Sequence, residues 1–226
     1  MKVRRRIRIF TEKHPLLGPL VWMFSVQYFV AQLIVASVWP RPYSWLDHTI
    51  SALGNTSCSQ QAGEYICSPL YWFMNTSFVL LGMTMVGGSL LIYDGFGQRR
   101  ELLAGFLLMT AAGFGATIVG LFPENTIPWL HYLGAGMAFL LAGISLMLLA
   151  ARLHVPRALK FYTLLSAVVS LGALVLFVNE KYMGLGVGGM ERLVSYPQTI
   201  WLIVFGVYIS RTRVKRRTRR ARTRSI

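Results

Sequence analysis

The chain has 226 residues, of which 54% are hydrophobic and 14% charged, and its mean hydropathy is +0.51. These values exclude an ordinary soluble globular domain, in which about 25% of residues are charged. The net charge of +15 would suit a nucleic-acid partner, but its distribution along the chain favours a membrane protein and makes nucleic acid an unexpected partner.

Apolar stretches dominate the chain, and a bilayer takes about 20 residues of helix to cross. We predict six spans, in chain order, at residues 19–39, 69–93, 102–122, 129–151, 160–178 and 196–209. None alternates apolar and polar residues, so helices rather than barrel strands are expected. Small residues within the spans predict close helix contacts at Gly113, Gly115, Gly134, Gly136 and Gly143. The predicted fold class is therefore all-α, a six-transmembrane helical bundle forming one membrane domain over residues 1–210.

Basic residues are concentrated on one predicted side of the membrane. The N-terminus, the second and fourth loops and the tail from Arg211 hold 20 of the 23 Lys and Arg residues, and the other side has only Arg41, Lys181 and Arg192. This pattern predicts a multi-pass plasma-membrane protein with both termini cytoplasmic. The first span lacks a small-residue cleavage site, so we expect it to be retained rather than removed as a signal peptide.

The tail at residues 211–226 is strongly basic and is predicted to be a disordered cytoplasmic segment. Such a segment next to a membrane span helps to fix topology and attracts anionic lipid headgroups. Membrane lipids are therefore the expected partners.

The first outer loop contains the polar segment YSWLDHTISALGN, at residues 43–55. A Ser followed three residues later by Asp predicts a capped short extracytoplasmic helix at residues 45–53, closed by Gly54. On that helix Ser51 would lie one turn from both Asp47 and His48. Since Asp47 and His48 would point about 100° apart, His48 is expected to partner an acid from another loop.

Both cysteines, Cys58 and Cys67, follow in the same loop. A disulfide is favoured, because bonds of this kind persist outside the cytoplasm and the spacing fits no zinc pattern. A two-cysteine metal site is the weaker alternative.

The second and third outer loops bring further polar groups to the same membrane depth. The second reads LFPENTIPWLHYLG and supplies Glu124, Asn125 and His131. The third contains glycines at 184, 186, 188 and 189, which predict a flexible or tightly turned backbone before Glu191 and Arg192. It lacks the Lys-Ser/Thr ending of a phosphate-binding loop.

Convergence of three polar loops predicts a shared site. His48 or His131 would be the general base, Asp47 or Glu124 its orienting acid, and Ser51 a nucleophile. Arg192 would contact a phosphate or an oxyanion, and the further substrate-binding candidates are Asn55, Asn125 and Glu191. Each residue also has a structural interpretation, such as helix capping by Asp47 or a local ion pair between Glu191 and Arg192.

No cofactor is required by this hypothesis, although zinc held by His48, His131 and one carboxylate is an alternative. A haem between the two histidines is disfavoured, because only His131 falls inside a predicted span.

The order and spacing of several motifs resemble the family called domain of unknown function 998. The motifs are HTISALG, NTSFVLLG, LFPEN followed by HYLGA, and GMERLVSYPQTIW, and together they span about residues 18–210. The resemblance implies a six-helix membrane bundle, and it brings no activity or catalytic residues with it.

Three functions remain open. The first is action on, or binding of, a lipid or lipid-linked substrate at the extracytoplasmic face. The second is a non-catalytic scaffold that stabilises a partner, and the third is a small-solute transporter with Gln27, Gln32 and Asn75 along its path. Whether the protein is an enzyme is not decided by the sequence.

Overall fold

The computed structural model describes residues 9–61, 64–96 and 99–222. Within these residues, six helices are long and apolar enough to cross a membrane, as the sequence predicts. They cover Leu17–Ser37, Tyr71–Asp94, Arg100–Leu121, Pro128–Arg152, Arg157–Val178 and Gly186–Val214. Part of the basic charge used to predict topology, at residues 1–8 and 223–226, lies outside the described residues.

Two of the six spans are built from more than one helical segment. The first joins α1 (Leu17–Met23) to α2 (Gln27–Ser37) through a 3-10 turn at Phe24–Val26. The fourth joins α5 (Pro128–Gly136) to α6 (Ala142–Arg152) through a π-helical segment, Met137–Leu141. The other spans are α3 (Tyr71–Gly95), α4 (Arg100–Leu121), α7 (Arg157–Val178) and α8 (Gly186–Arg222).

Helix ends follow ordinary local chemistry. Pro128 lies in the first turn of α5 and Pro156 directly precedes α7, where the fixed φ of proline favours a helix start. Glu101 in the first turn of α4 and Arg152 in the last turn of α6 carry the charges that stabilise the two ends of a helix dipole.

Glycines allow neighbouring spans to pack backbone against backbone. A Cβ on Gly82 of α3 would lie 2.4 Å from the carbonyl oxygen of Gly113 on α4. A Cβ on Gly115 would likewise lie 2.5 Å from the carbonyl oxygen of Gly134 on α5. The prediction of a close contact at Gly136 is wrong, because a Cβ there would meet no atom within 4 Å.

Aromatic side chains fill the centre of the bundle between α1, α4 and α8. Trp22, Trp201 and Phe205 are fully buried, and the rings of Trp201 and Phe205 stack 4.6 Å apart. Trp22 meets the edge of Trp201 at 5.4 Å and stacks on Phe106 at 6.1 Å. The outer helix surfaces expose large apolar side chains, including Leu33, Met83, Phe114 and Val175, as expected of surfaces that face lipid.

Between the first two spans the chain forms a small hairpin. Strands β1 (Ser59–Gln61) and β2 (Glu64–Ile66) are antiparallel, with Ser59 opposite Ile66. Cys58 and Cys67 flank the two strands and form a disulfide, which confirms the predicted pairing.

The last span begins earlier than predicted. Helix α8 starts at Gly186, ten residues before the predicted start at residue 196, and it continues to Arg222. The prediction was wrong because it treated the glycines at 186, 188 and 189 as a loop. Glu191 and Arg192 are consequently helical residues near the N-terminal end of α8.

Candidate functional site

Three connections meet at one end of the bundle, called the site end below. They are residues 38–61 with 64–70, 122–127 and 179–185, and the start of α1 and the C-terminal end of α8 lie at the opposite end. Asn125 joins the first two connections: its Oδ1 accepts the Thr56 N–H at 3.1 Å, and its Nδ2 donates to Ser57 Oγ at 2.9 Å. This predicted substrate-binding residue therefore links two loops.

The polar segment at residues 43–55 does not form the predicted α-helix at 45–53. It consists of turns followed by a short 3-10 helix, Ser51–Gly54. An α-helix would need the Ile50 N–H to donate to the Leu46 carbonyl. Instead, Ile50 N–H donates to Glu191 Oε2 at 2.5 Å, while the Leu46 carbonyl accepts from Gly189 N–H at 3.0 Å. Contacts with α8 thus replace the local helical bonds.

Asp47 has the structural role of a turn cap. The Ser44 hydroxyl donates to Asp47 Oδ2 at 2.6 Å, and Asp47 N–H donates back to Ser44 Oγ at 3.1 Å. Asp47 is exposed, and these contacts are local to the turn. They support the capping interpretation of its carboxylate.

Ser51 lies instead between Glu191 and His131. Its Oγ lies 2.9 Å from Glu191 Oε1 and 3.1 Å from His131 Nε2. His131 Nδ1 lies 2.9 Å from the carbonyl oxygen of Phe122 at the end of α4. Glu191 and His131 are buried and Ser51 is half-buried, so the three residues, called the Glu–Ser–His cluster below, join the first loop to α5 and α8.

The hydrogen-bond pattern of the cluster limits where its protons can be. A carbonyl oxygen only accepts, so His131 Nδ1 carries a proton toward Phe122. The Ser51 hydroxyl has one proton and can donate it to only one of its two neighbours. If Glu191 were ionised and His131 neutral, both neighbouring atoms would be acceptors, and the contact without the hydroxyl proton would join two acceptors. Every contact is satisfied when one more proton lies either on the Glu191 carboxyl group or on His131 Nε2.

His48 and Glu124 have other neighbours. His48 Nδ1 accepts the Ser44 N–H at 3.2 Å, and its buried ring packs against Trp39 and Tyr43 at 5.6 and 5.1 Å. Glu124 Oε1 accepts from the Tyr132 hydroxyl at 3.0 Å. Of the two histidines predicted as candidate bases, His131 and not His48 therefore lies beside Ser51.

Arg192 holds the first loop against α8. Its Nη1 donates to the carbonyl oxygens of Trp45, His48 and Gly188 at 2.9, 2.8 and 2.8 Å, and its Nη2 donates to Tyr43 Oη at 2.5 Å. Burial raises the pKa of the Tyr43 phenol above its usual value, and the nearby guanidinium only partly offsets this, so the phenol keeps its proton at neutral pH. With both terminal nitrogens engaged, Arg192 offers little support for the predicted phosphate contact.

The glycines at the start of α8 allow the backbone of the first loop to pack closely against this helix. A Cβ on Gly188 would lie 2.1 Å from the His48 carbonyl oxygen, and one on Gly186 would lie 2.3 Å from that of Leu46. Gly186 also has a positive φ of 68°, which disfavours other residues. The glycine-rich stretch is thus a packing surface for backbone and not a flexible loop.

We expect Gly188→Ala to lower the free energy of unfolding by about 1–3 kcal/mol, because the added methyl group overlaps the His48 backbone. Gly172→Ala is the matched control, since a Cβ on this helical glycine meets nothing within 4 Å. The control should be neutral or stabilising by up to about 1 kcal/mol. Thermal unfolding of the detergent-solubilised variants measures both, and a Gly188→Ala variant that melts as high as the control would contradict the packing argument.

A cavity opens beside the cluster and extends into the bundle. Ser51 and Glu191 line it near the site end, and Met85, Met109 and Leu202 line it deeper in the bundle. The π-helical segment borders it with Phe139, whose carbonyl oxygen accepts from Gln198 Nε2 at 2.9 Å. Such π segments often occur at functional sites.

Sequence reasoning named Glu191 but missed the rest of the polar face of α8 that lines this cavity, which is formed by Glu191, Ser195, Gln198 and Thr199. Their spacing of four, three and one places them on one side of a helix. The signal was present in the sequence, but it became visible only once the helix began at Gly186 instead of at residue 196.

The zinc alternative gains no support from the arrangement. No group of three or more His, Cys, Asp or Glu side chains suited to a metal occurs within residues 9–61, 64–96 and 99–222.

Asn55, a predicted substrate-binding residue, is buried at the end of the 3-10 helix, where its N–H donates to the Ala52 carbonyl at 3.1 Å.

The fold and the cluster define a multi-pass helical membrane protein with a buried polar site at one end. The chain belongs to the family described as a protein of unknown function (DUF998), which matches residues 23–208. This confirms the predicted family, and the match includes all three residues of the Glu–Ser–His cluster. Comparison with curated proteins and with solved structures finds no match.

Proposed function

We propose that this protein is an enzyme that acts on a lipid or lipid-linked substrate by transferring an acyl group to Ser51. The observation that carries the proposal is the 3.1 Å contact between Ser51 Oγ and His131 Nε2 at the wall of a largely apolar cavity. A serine activated by a histidine is a general arrangement for nucleophilic catalysis.

In the proposed reaction, Ser51 Oγ attacks the carbonyl carbon of the substrate while His131 Nε2 takes the hydroxyl proton. The tetrahedral intermediate collapses, the bond to the leaving oxygen or nitrogen breaks, and His131 returns the proton to the leaving group. Water or an acceptor alcohol then attacks the acyl-serine and regenerates Ser51. The Phe122 carbonyl fixes His131 with its proton on Nδ1, and with the additional proton of the cluster on the Glu191 carboxyl group Nε2 acts as the base.

We infer also that the site end faces the extracytoplasmic side. Basic residues at the opposite end, including Arg99, Arg152, Arg157 and Arg211, favour a cytoplasmic position for that end. The disulfide between Cys58 and Cys67 at the site end agrees with this orientation, because such bonds persist outside the cytoplasm. Substrate would then enter from the outer leaflet.

An alkyl fluorophosphonate, which phosphonylates activated serines, tests the proposal on the purified protein. We expect labelling at Ser51, mapped by mass spectrometry, none at this position in Ser51→Ala, and a rate reduced by about 100-fold or more in His131→Ala. Ser57→Ala is the control: Ser57 is an exposed serine of the same loop and accepts a hydrogen bond from Asn125 at 2.9 Å. It should react like the wild type.

Absence of label on wild-type Ser51, or unchanged labelling in His131→Ala, would overturn the enzyme proposal and favour a scaffold.

The transport alternative has no separate support. Gln27 Nε2 donates to the Ser77 carbonyl at 3.1 Å, Gln32 Oε1 accepts from the Tyr196 hydroxyl at 2.7 Å, and Asn75 Nδ2 donates to the Gly54 carbonyl at 2.9 Å. These contacts give the three side chains a role in packing.

A further inference from the structure

We infer that the cavity binds the hydrocarbon chain of the substrate, so that the reacting group is the carboxylic ester or amide of a fatty acyl chain and not a phosphate ester. This inference rests on the proposed function and specifies its substrate. It follows from the depth of the cavity, from the hydrogen bonds of its polar groups and from the absence of Lys, Arg and His among the described residues that line it.

The cavity runs along the helices from the cluster toward the middle of the membrane. On α8 it extends from Glu191 to Leu202, eleven residues along the chain. At a rise of 1.5 Å per residue this is about 16 Å. Its deeper wall is apolar, with Phe78, Leu81 and Met85 on α3 and Met109 on α4. An extended chain with its carbonyl at Ser51 would lie along this wall.

Three of the four polar side chains of α8 that line the cavity, those of Glu191, Gln198 and Thr199, have hydrogen-bond partners within the protein. Gln198 Nε2 donates to the Phe139 carbonyl and to Ser170 Oγ, and the Thr199 hydroxyl donates to the Ser195 carbonyl at 3.1 Å. A hydrocarbon chain makes no hydrogen bonds, and these three side chains require none from it. Burying the chain in this space is favourable because its methylene groups are removed from water.

A phosphate group would require positive charge or several free N–H donors. The residues that line the cavity include no Lys, Arg or His among the part of the chain that the structure describes. The guanidinium of Arg192, the residue that follows Glu191, donates to three carbonyl oxygens and to Tyr43. The cluster therefore suits a neutral acyl carbonyl better than an anionic phosphate.

The test compares fluorophosphonates with an ethyl and a decyl chain on phosphorus, because their neutral tetrahedral phosphorus takes the place of the reacting carbonyl. For the wild type we expect the decyl reagent to label Ser51 at least tenfold faster. Ala116→Leu fills the cavity from α4 and should reduce this preference below threefold, while ethyl labelling stays within twofold of wild type. Ala104→Leu, at an exposed position on α4, is the control and should keep the full preference.

A second variant, Ala138→Leu, fills the cavity from the π-helical segment and should act like Ala116→Leu. Ethyl labelling in each variant verifies that the cluster is intact. Equal rates with the two reagents in the wild type, or a preference that survives both filled cavities, would overturn chain binding and leave the proposed function standing. Absence of Ser51 labelling by either reagent would instead overturn the proposed function.

Turnover distinguishes the two reacting groups. We expect hydrolysis of a decanoyl ester of a fluorogenic alcohol and no hydrolysis of the matching decyl phosphodiester, with Ser51→Ala inactive on both. Cleavage of the phosphodiester by wild type but not by Ser51→Ala would overturn the assignment to acyl substrates.

Discussion

Glu191→Gln is expected to keep Ser51 reactive, whereas Glu191→Leu is expected to abolish its reactivity. The glutamine oxygen can accept the Ile50 N–H, and the glutamine amide can donate to Ser51 Oγ in the positions now held by the two carboxyl oxygens. The Ser51 proton is then directed to His131 Nε2, 3.1 Å away. This is the hydrogen-bond pattern of the cluster with a protonated Glu191.

Leucine at the same position provides neither group. The Ile50 N–H, which lies on a buried residue, loses its acceptor, and an unsatisfied buried donor costs about 1–3 kcal/mol. Ser51 also loses the contact that holds its hydroxyl opposite His131. Glu191 is thus a positioning residue in this scheme, and its charge is not needed.

Fluorophosphonate labelling of purified wild type, Glu191→Gln and Glu191→Leu measures this effect. We expect the glutamine variant to react within about fivefold of the wild type and the leucine variant to lose about 100-fold or more, the range of a lost general base. Thermal unfolding of both variants serves as the control for folding. A well-folded glutamine variant as inert as the leucine variant would show that the carboxylate charge itself is required.

The separate parts of this site differed in how well the sequence predicted them. Ser51 and His131 were both expected in it, because their residue types and their predicted membrane depth suited a nucleophile and a base. His131 was one of the two histidines predicted as the base, but the helical spacing rule placed Ser51 beside Asp47 and His48. That rule failed because the Leu46 carbonyl and the Ile50 N–H, which would bond to each other in a helix, bond instead to Gly189 and Glu191 of α8.

The spans and the disulfide could be predicted, because length, apolar content and compartment determine them locally. Glu191 and Arg192 were harder, since their positions depend on where α8 begins. Glycine has a low helix propensity, so a cluster of glycines does not predict a helix. Glycine is needed at 186 and 188 because the carbonyl oxygens of Leu46 and His48 pack against these two positions. That information is tertiary and does not occur in the local sequence.

The largest expected loss of stability is at Arg192. Arg192→Ala leaves the carbonyl oxygens of Trp45, His48 and Gly188 without their shared donor, and hydrogen bonds to a charged group contribute about 1.5–3 kcal/mol each. Because these effects are not additive, we expect a total loss of about 3 kcal/mol or more. The guanidinium also lies over the Trp45 ring at 4.9 Å, and this contact is lost as well.

Arg192→Lys should rescue little of this loss. A single ammonium group cannot reproduce the planar guanidinium, whose two terminal nitrogens reach the three carbonyls and Tyr43 together. In detergent, we expect the apparent Tm of both variants to fall by about 5–10 °C, with Lys181→Ala, an exposed cation of the loop before α8, as the unchanged control. Since the same contacts hold residues 45–48 against α8, Ser51 labelling should fall in parallel with Tm. An Arg192→Lys variant with the wild-type Tm would mean that only the positive charge matters. The hydrogen bonds of the guanidinium to the first loop would then not be the source of its stabilising effect.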